Sequence, residues 1–267
     1  MKKKKEIVVL SFFPTFLNNF KDKMNTLAEA IEYYKSDSSK DKHKVLYQTF
    51  EKNASENHYL KKQYSIVSGF GELAFSWNWF LLVQSMPDSF DFLEIGVYKG
   101  RIISLVQMIA NLLNKSVNIY AITPLNNTGD KFSEYDNLDY LKEIQRSYSL
   151  SNVSMDTTTL IKGFSQDHLV IDKAQKRMYN IIFIDGSHDY ANVILDIKNY
   201  TPFIKPGGYL VMDDASFFLE NAYGVFLGHC DVSLAIEDVL ESNIEFEHVL
   251  AIGHNRVWKK RSISGTE

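Results

Sequence analysis

From residue 89 onward the chain alternates short apolar runs with stretches of helical spacing. The runs fall at 90–95, 117–122, 158–161, 180–184, 209–212 and 246–251. Between the first five lie segments such as RIISLVQMIANLLNK, YDNLDYLKEIQRSYS and YANVILDIKNYTPFI, with apolar positions three and four apart. Strand and helix in strict alternation predict a parallel sheet wound with helices on both faces. In such a sheet the ligand lies beyond the carboxyl ends of the strands, where strand order reverses.

The first part of the chain has another texture. Residues 20–57 are charged with intermittent apolar positions, interrupted by SDSS and NASE, which predicts two or three amphipathic helices. A more apolar segment, 64–86, ends at Pro87-Asp88. Within it Gly69-Phe70-Gly71 predicts a turn before a buried helix carrying Trp77, Trp79, Phe80 and Leu81. Those aromatics suit core or dimer packing better than ligand contact. The expected organisation is a helical region over 1–88, capping the site or joining two copies of the chain, followed by an α/β domain over 89–267.

Composition narrows the partners. A length of 267 residues with 45 % hydrophobic and 23 % charged residues allows a sizeable core. A net charge of −4 gives no sign of a nucleic-acid groove, so a small molecule is the expected partner. One cysteine, Cys230, excludes an internal disulfide framework and suits a reducing, intracellular setting. The MKKKK start reads as a solvated tail leading into a short strand or helix rather than a signal peptide, because Glu6 and Pro14 interrupt the apolar run. No apolar run approaches the roughly 18 residues of a membrane span.

The strand ends carry the chemistry. In FLEIGVYKGRIISLV, Glu94 closes a strand, Gly96 permits a tight turn, and Gly100 lets the next helix pack closely with its amides facing a ligand. A dinucleotide fingerprint would need glycine where Tyr98 and Arg101 stand. The Glu-x-Gly-x-x-x-Gly pattern resembles instead the first motif of class I S-adenosylmethionine-dependent methyltransferases. KPGGYLVMDD resembles that family's fifth strand with its preceding turn. Taken whole, residues 181–214, IIFIDGSHDYANVILDIKNYTPFIKPGGYLVMDD, are similar to macrocin- and novobiocin-type sugar O-methyltransferases and their cephamycin-pathway relatives. The similarity extends over roughly 91–260, through the closing GHNRVWKK.

The resemblance implies a Rossmann-like, mostly parallel seven-stranded sheet and an S-adenosylmethionine site at Glu94, Gly96, Tyr98, Gly100, Thr123, Gly163 and Ser165. It further implies a magnesium or other divalent ion on Asp185, Asp213 and Asp214. Physical reasoning agrees on the ion: carboxylates converging at strand ends repel unless a cation offsets them, and oxygen donors favour Mg²⁺, Mn²⁺ or Ca²⁺ over Zn²⁺. A helix cap at Asp185 and a solvated turn at Asp213-Asp214 form the competing explanation. The implied reaction is methylation of a sugar hydroxyl, with His188 as base and Asp189 as runner-up. Two departures stand out: relatives often carry an aspartate where this chain has Ser187, and an acidic ribose partner where it has Thr123, with Asn126 or Asn127 as substitutes. A catechol or phenol acceptor, or a non-catalytic nucleotide-binding module, are the alternatives. His168, His229, His248 and His254 read as too scattered for a zinc cluster. Phe217-Phe218 suits packing of the following helix better than an acceptor pocket.

Overall fold

The computed structural model describes residues 24–39, 41–219 and 224–262. The lysine-rich start and the apolar run after it lie outside them. Among the described residues four helices come first: α1 Leu27–Ser36, α2 Lys42–Glu56, α3 His58–Ile66 and α4 Leu73–Gln84. Thr26 and Glu29 close a capping box on α1. α2 runs through Asn53-Ala54-Ser55-Glu56, where a break was expected. Phe50 and Ala54, one turn apart and fully buried, hold that stretch helical against its weak propensity, and the break falls at Asn57. Asn57 Oδ1 then accepts from the N–H groups of Tyr59 and Leu60 to start α3.

The alternating region forms the strands β1 Ser89–Ile95, β2 Ser116–Thr123, β3 Thr158–Lys162, β4 Tyr179–Ile184, β5 Ile204–Met212, β6 Phe246–Ile252 and β7 Asn255–Lys260. They make one seven-stranded sheet in the order β3-β2-β1-β4-β5-β7-β6. The first five strands are parallel, whereas β7 runs antiparallel to both β5 and β6. The intervening helices are α5 Arg101–Leu112, α6 Tyr140–Leu150, α7 His168–Ala174, α8 Tyr190–Tyr200 and α9 Cys230–Val239. β5 starts earlier than the apolar pattern indicated, at Ile204 opposite Tyr179, and the register then shifts so that Tyr209 faces Ile181. Lys205-Pro206-Gly207-Gly208 is thus an excursion inside the strand, not a turn before it.

α7, α8 and α9 cover one face of the sheet, through Val170, Val193, Ile197, Val232 and Ile236. α5, α6 and the N-terminal helices cover the other and share a single apolar core with it. Trp79 of α4 is fully buried, its ring 5.7 Å from Phe92 and 5.0 Å from Phe183. Trp79→Ala is expected to lower unfolding free energy by about 3–5 kcal/mol in urea titration; a loss below about 1 kcal/mol would mean that α4 is not part of this core. No helix among the described residues is long and apolar enough to cross a membrane.

The chain runs β1, β2, β3 toward one edge and returns to place β4 on the other side of β1. The reversal opens a crevice between β1 and β4.

Candidate functional site

Strand register aligns the candidate residues. Ile122, Ile95, Ile184 and Met212 stand in one row across the sheet, and Thr123, Gly96, Asp185 and Asp213 follow them in the next. Backbone hydrogen bonds continue past the strands: Gly96 N–H donates to Ile122 (3.1 Å), Asp185 N–H to Ile95 (2.8 Å) and Asp213 N–H to Ile184 (3.0 Å). Strands stand about 4.8 Å apart, so aspartates distant in sequence become neighbours. Gly96 has φ 91°, and a Cβ there would stand 1.7 Å from the Asp185 carbonyl oxygen. Only glycine fits at that crossing.

A cleft of about 230 Å³ lies over the carboxyl ends of β1 to β4. Gly96, Tyr98, Thr123, Gly163 and Ser165 of the expected cofactor set line it, together with Asn126, Gln166 and Phe70. Tyr98 adopts φ 45° and stacks on Phe70 at 5.0 Å. Phe70 comes from the turn before α4, which Arg101 ties down by donating to the carbonyls of Gly69 (2.9 Å) and Tyr64 (3.0 Å). Glu94 is buried beneath, beside a smaller cavity that Asp185, Asp213 and Asn255 also line. Burial, then Asp213, push its carboxyl well above the usual range. Gly100 does not line the cleft: at φ 79° it starts α5 and lets Ile144 of α6 approach.

Beside the cleft stands a cluster of carboxylates and imidazoles. Asp185 is raised well above the carboxylate range by burial and by Asp213, with which it hydrogen bonds. Asp213 Oδ1 accepts from Asn255 Nδ2 (2.6 Å) and has His254 Nε2 at 3.4 Å. Burial alone would raise Asp213, yet His254 foremost, with Asp185 and His188, holds the carboxyl below its ordinary value. Burial likewise disfavours the charged form of His254, but Asp213 foremost, with Glu72 and Asp214, raises it to about 9.

Asp214, in a left-handed turn at φ 51°, faces different partners: His188 Nε2 at 2.9 Å and His229 Nε2 at 3.7 Å from its Oδ2. The other nitrogen of His188, Nδ1, lies 2.9 Å from Asp130 Oδ2, which also accepts from the His188 backbone N–H at 2.6 Å. Burial would lower His188, but Asp214 and Asp130 together raise it. Asp189 starts α8, lines the cleft and pairs with Lys131 at 3.4 Å.

Of the three expected metal ligands, Asp213 and Asp214 fall in one compact group and Asp185 reaches Asp213. Ligand atoms of Asp213, Asp214 and His254 lie within 4.8 Å of one another, as do those of His188, Asp214 and His229. Asp185 belongs to neither group. The backbone turn at Asp214 directs its carboxylate to His188 and His229, and of these His188 is shifted toward its charged form. Asp213 and Asp214 fit a hard divalent cation, while imidazole donors admit Mn²⁺, Fe²⁺ or Zn²⁺ beside Mg²⁺.

His229 and His254, which read as scattered, therefore reach the centre, one at the start of α9 and the other in the β6–β7 hairpin. His248 stays apart, packed against Tyr34 and Trp258. Phe217 and Phe218, expected to pack the next helix, are each 48 % exposed, and the Phe217 N–H donates to Ser233 Oγ of α9 at 3.0 Å. Asp130, Glu72 and Asn255 escaped sequence reasoning. Gly129-Asp130 was legible only as a turn, in which Asp130 Oδ1 accepts from the Phe132 and Ser133 N–H groups.

Comparison with known proteins bears on this arrangement. Residues 93–215 match the family described as Methyltransferase domain (Methyltransf_24). Uncharacterized protein R132 of Acanthamoeba polyphaga mimivirus is 28 % identical over 143 residues, 51 % of this chain, and the match spans 58 % of that protein's length. The S-adenosylhomocysteine-bound methyltransferase PaMTH1 of Podospora anserina superposes with a TM-score of 0.55 and 11 % identity, over 80 % of this chain and 94 % of its own. The O-methyltransferase of Bacillus cereus in complex with S-adenosylhomocysteine gives 0.52 and 12 %, over 79 % and 96 %. At such identities the likeness is one of fold, and it is the sheet expected from the strand and helix alternation. Residues 93–215 thus resemble the methyltransferase-domain family, and they lie on a Rossmann-like α/β sheet.

Proposed function

We propose that the protein is an S-adenosylmethionine-dependent O-methyltransferase acting, with a divalent cation, on a hydroxyl of a small molecule. The similarity of 181–214 to macrocin- and novobiocin-type enzymes makes a sugar or glycoside the first acceptor class. One observation carries the reading: Asp130, Asp185, Ser187 and Asp189 line the cleft, and His188 stands among them with both ring nitrogens at carboxylates. A donor in the cleft and a proton acceptor are thus adjacent.

S-adenosylmethionine, when bound, supplies an electrophilic methyl group for in-line displacement by a hydroxyl oxygen. Gly96, Tyr98, Thr123, Gly163 and Ser165 would hold it, with Glu94 beneath the turn. Thr123 and Asn126 offer a hydroxyl and an amide where an acidic ribose partner was expected. Asp213 and Asp214, with His254, would hold a divalent cation, which lowers the pKa of a coordinated hydroxyl. His188 is the candidate base: Asp130 would fix the ring through Nδ1–H, and Nε2, paired here with Asp214, would take the acceptor's proton once that carboxylate turns to the cation. Asp189 is poorer in this role because Lys131 engages it. Residues 24–88 act as a wall of the site, through Phe70 at the cleft and Glu72 at His254.

A phenolic acceptor is the second reading, favoured by Phe132 and Phe226. Their half-exposed rings stand 4.5 Å and 5.5 Å from that of His229, an apolar wall suited to a flat ring.

Calorimetric titration with S-adenosylhomocysteine is expected to show saturable binding. No heat at about 1 mM ligand would sink the methyltransferase reading and leave a non-catalytic module. Given binding, methyl transfer to glycosides and sugar nucleotides, assayed beside catechols, decides between the acceptor classes.

A further inference from the structure

Residues 67–72 join α3 to α4 and touch the site at two points. Phe70 lines the cleft and stacks on Tyr98 at 5.0 Å, and Glu72 Oε2 stands 3.5 Å from His254 Nδ1. Apolar burial does not hold Phe70 there, because it is 71 % exposed. The start of α4 does not hold the segment either, since the Glu72 side chain makes no cap on that helix.

The hold comes from Arg101. Its Nη1 donates to the Gly69 carbonyl at 2.9 Å and its Nη2 to the Tyr64 carbonyl at 3.0 Å. Tyr64 lies in the last turn of α3, where carbonyls lack helical partners and a cation meets the negative end of the helix dipole. The guanidinium also covers the Tyr64 ring at 4.3 Å, and a Cβ on Gly69 would stand 2.8 Å from the Arg101 stem. In the other direction Gln63 Nε2 donates to the Arg101 carbonyl at 3.2 Å. Arg101 is buried, and among the described residues no carboxylate forms an ion pair with it. A buried cation answered only by carbonyls and a ring is a poor source of stability, yet its planar fork fixes two separate stretches of backbone. The backbone of Arg101 opens α5 directly after Gly100, so one residue joins the turn after β1 to the N-terminal helices.

We infer that Arg101 is a positioning residue: its fork fixes residues 67–72 against the turn after β1, so that Phe70 stays over the cleft and Glu72 at His254. The inference rests on the S-adenosylmethionine reading for its ligand, and deepens it by naming what makes the N-terminal helices part of the site. Lysine cannot replace the fork, because one ammonium presents no pair of parallel donors to two carbonyls.

The test compares the full chain with Arg101→Met, Arg101→Lys, Phe70→Ala and the double variant Arg101→Met/Phe70→Ala. Chymotrypsin cuts after aromatics in segments that open locally, so cleavage after Phe70, followed by mass spectrometry, reports the opening of 67–72. Both Arg101 variants should be cut there about tenfold faster and bind S-adenosylhomocysteine about tenfold more weakly in calorimetric titration. Phe70→Ala should weaken binding too, and the double variant should stay within about threefold of the weaker single one, because Arg101 acts through Phe70. A purely structural role would lower Tm and leave affinity and the cleavage rate in place, or make the two losses multiply; either result overturns the inference. It is also overturned if Phe70→Ala binds as the wild type does, or if Arg101→Lys matches the wild type in both measurements. Should Arg101→Met fail to fold, Arg101→Lys, which keeps stem and charge, carries both measurements. A wild type that binds no S-adenosylhomocysteine overturns the reading beneath, and the cleavage rates still decide whether Arg101 holds the segment.

Discussion

With Asp213 and Asp214 both replaced by asparagine, methyl transfer will fall by about 10³-fold or more, while S-adenosylhomocysteine affinity stays within about threefold of the parent. The split follows from where the side chains point. Neither residue lines the main cleft, so the cofactor loses no direct contact. The centre loses the two carboxylates that face His188 and His254 from the end of β5. Asp214 is one of the two carboxylates flanking His188, and Asp213 is the foremost cause of the raised His254. Both also belong to the candidate cation groups. Asparagine keeps the shape and can still meet Asn255, so the backbone row across the strand ends should survive. Radiolabelled methyl transfer, measured beside calorimetry on the same preparation, gives both numbers. Turnover within about tenfold of the parent would remove the cation and the His188 pairing from the mechanism.

Gly96→Ala will act oppositely, on the framework before the chemistry. The added methyl has to occupy space 1.7 Å from a backbone oxygen of Asp185, in a conformation at φ 91° that side chains rarely adopt. Neither strand can retreat, because β1 and β4 are paired along Phe92–Ile95 and Ile181–Ile184. A loss of about 3–5 kcal/mol in urea unfolding is expected, with S-adenosylhomocysteine binding weakened by at least about tenfold in whatever remains folded. Gly100→Ala is the internal comparison: its methyl would meet Ile144 at 3.2 Å, away from the cleft, so stability should fall less and affinity should hold. Equal effects at the two glycines would show that the cleft does not depend on the β1–β4 crossing.

Much of the scaffold was legible in local pattern. Each apolar run of the α/β region became a strand, and the Gly69-Phe70-Gly71 turn precedes the buried helix carrying Trp79. The misreadings share a cause. NASE looked like a break because Asn and Ser are weak helix formers, but burial of Phe50 and Ala54 decided the matter. The Pro-Gly-Gly turn was placed before β5 because the Ile204 to Tyr179 pairing is a contact between distant segments. Phe217 and Phe218 were assigned to packing by their type alone, and only the fold shows them half-exposed.

The site divides along the same line. Residues at strand ends could be named from sequence, since periodicity says where a strand stops and glycine says where the chain turns: Gly96, Asp185 and Asp213 follow from that logic, and register sets them side by side. Their partners could not be. Asp130 reaches His188 from the loop after β2, Glu72 reaches His254 from the N-terminal helices, and His254 with Asn255 arrives through the antiparallel β7. Such contacts leave no periodic trace, because a side chain's charge environment is set by neighbours in space rather than along the chain. Sequence by itself therefore determined the alternating scaffold and the carboxylates at its strand ends. Tertiary structure alone decided which histidines would stand beside those carboxylates, because His188, His229 and His254 reach them from three separate segments of the chain.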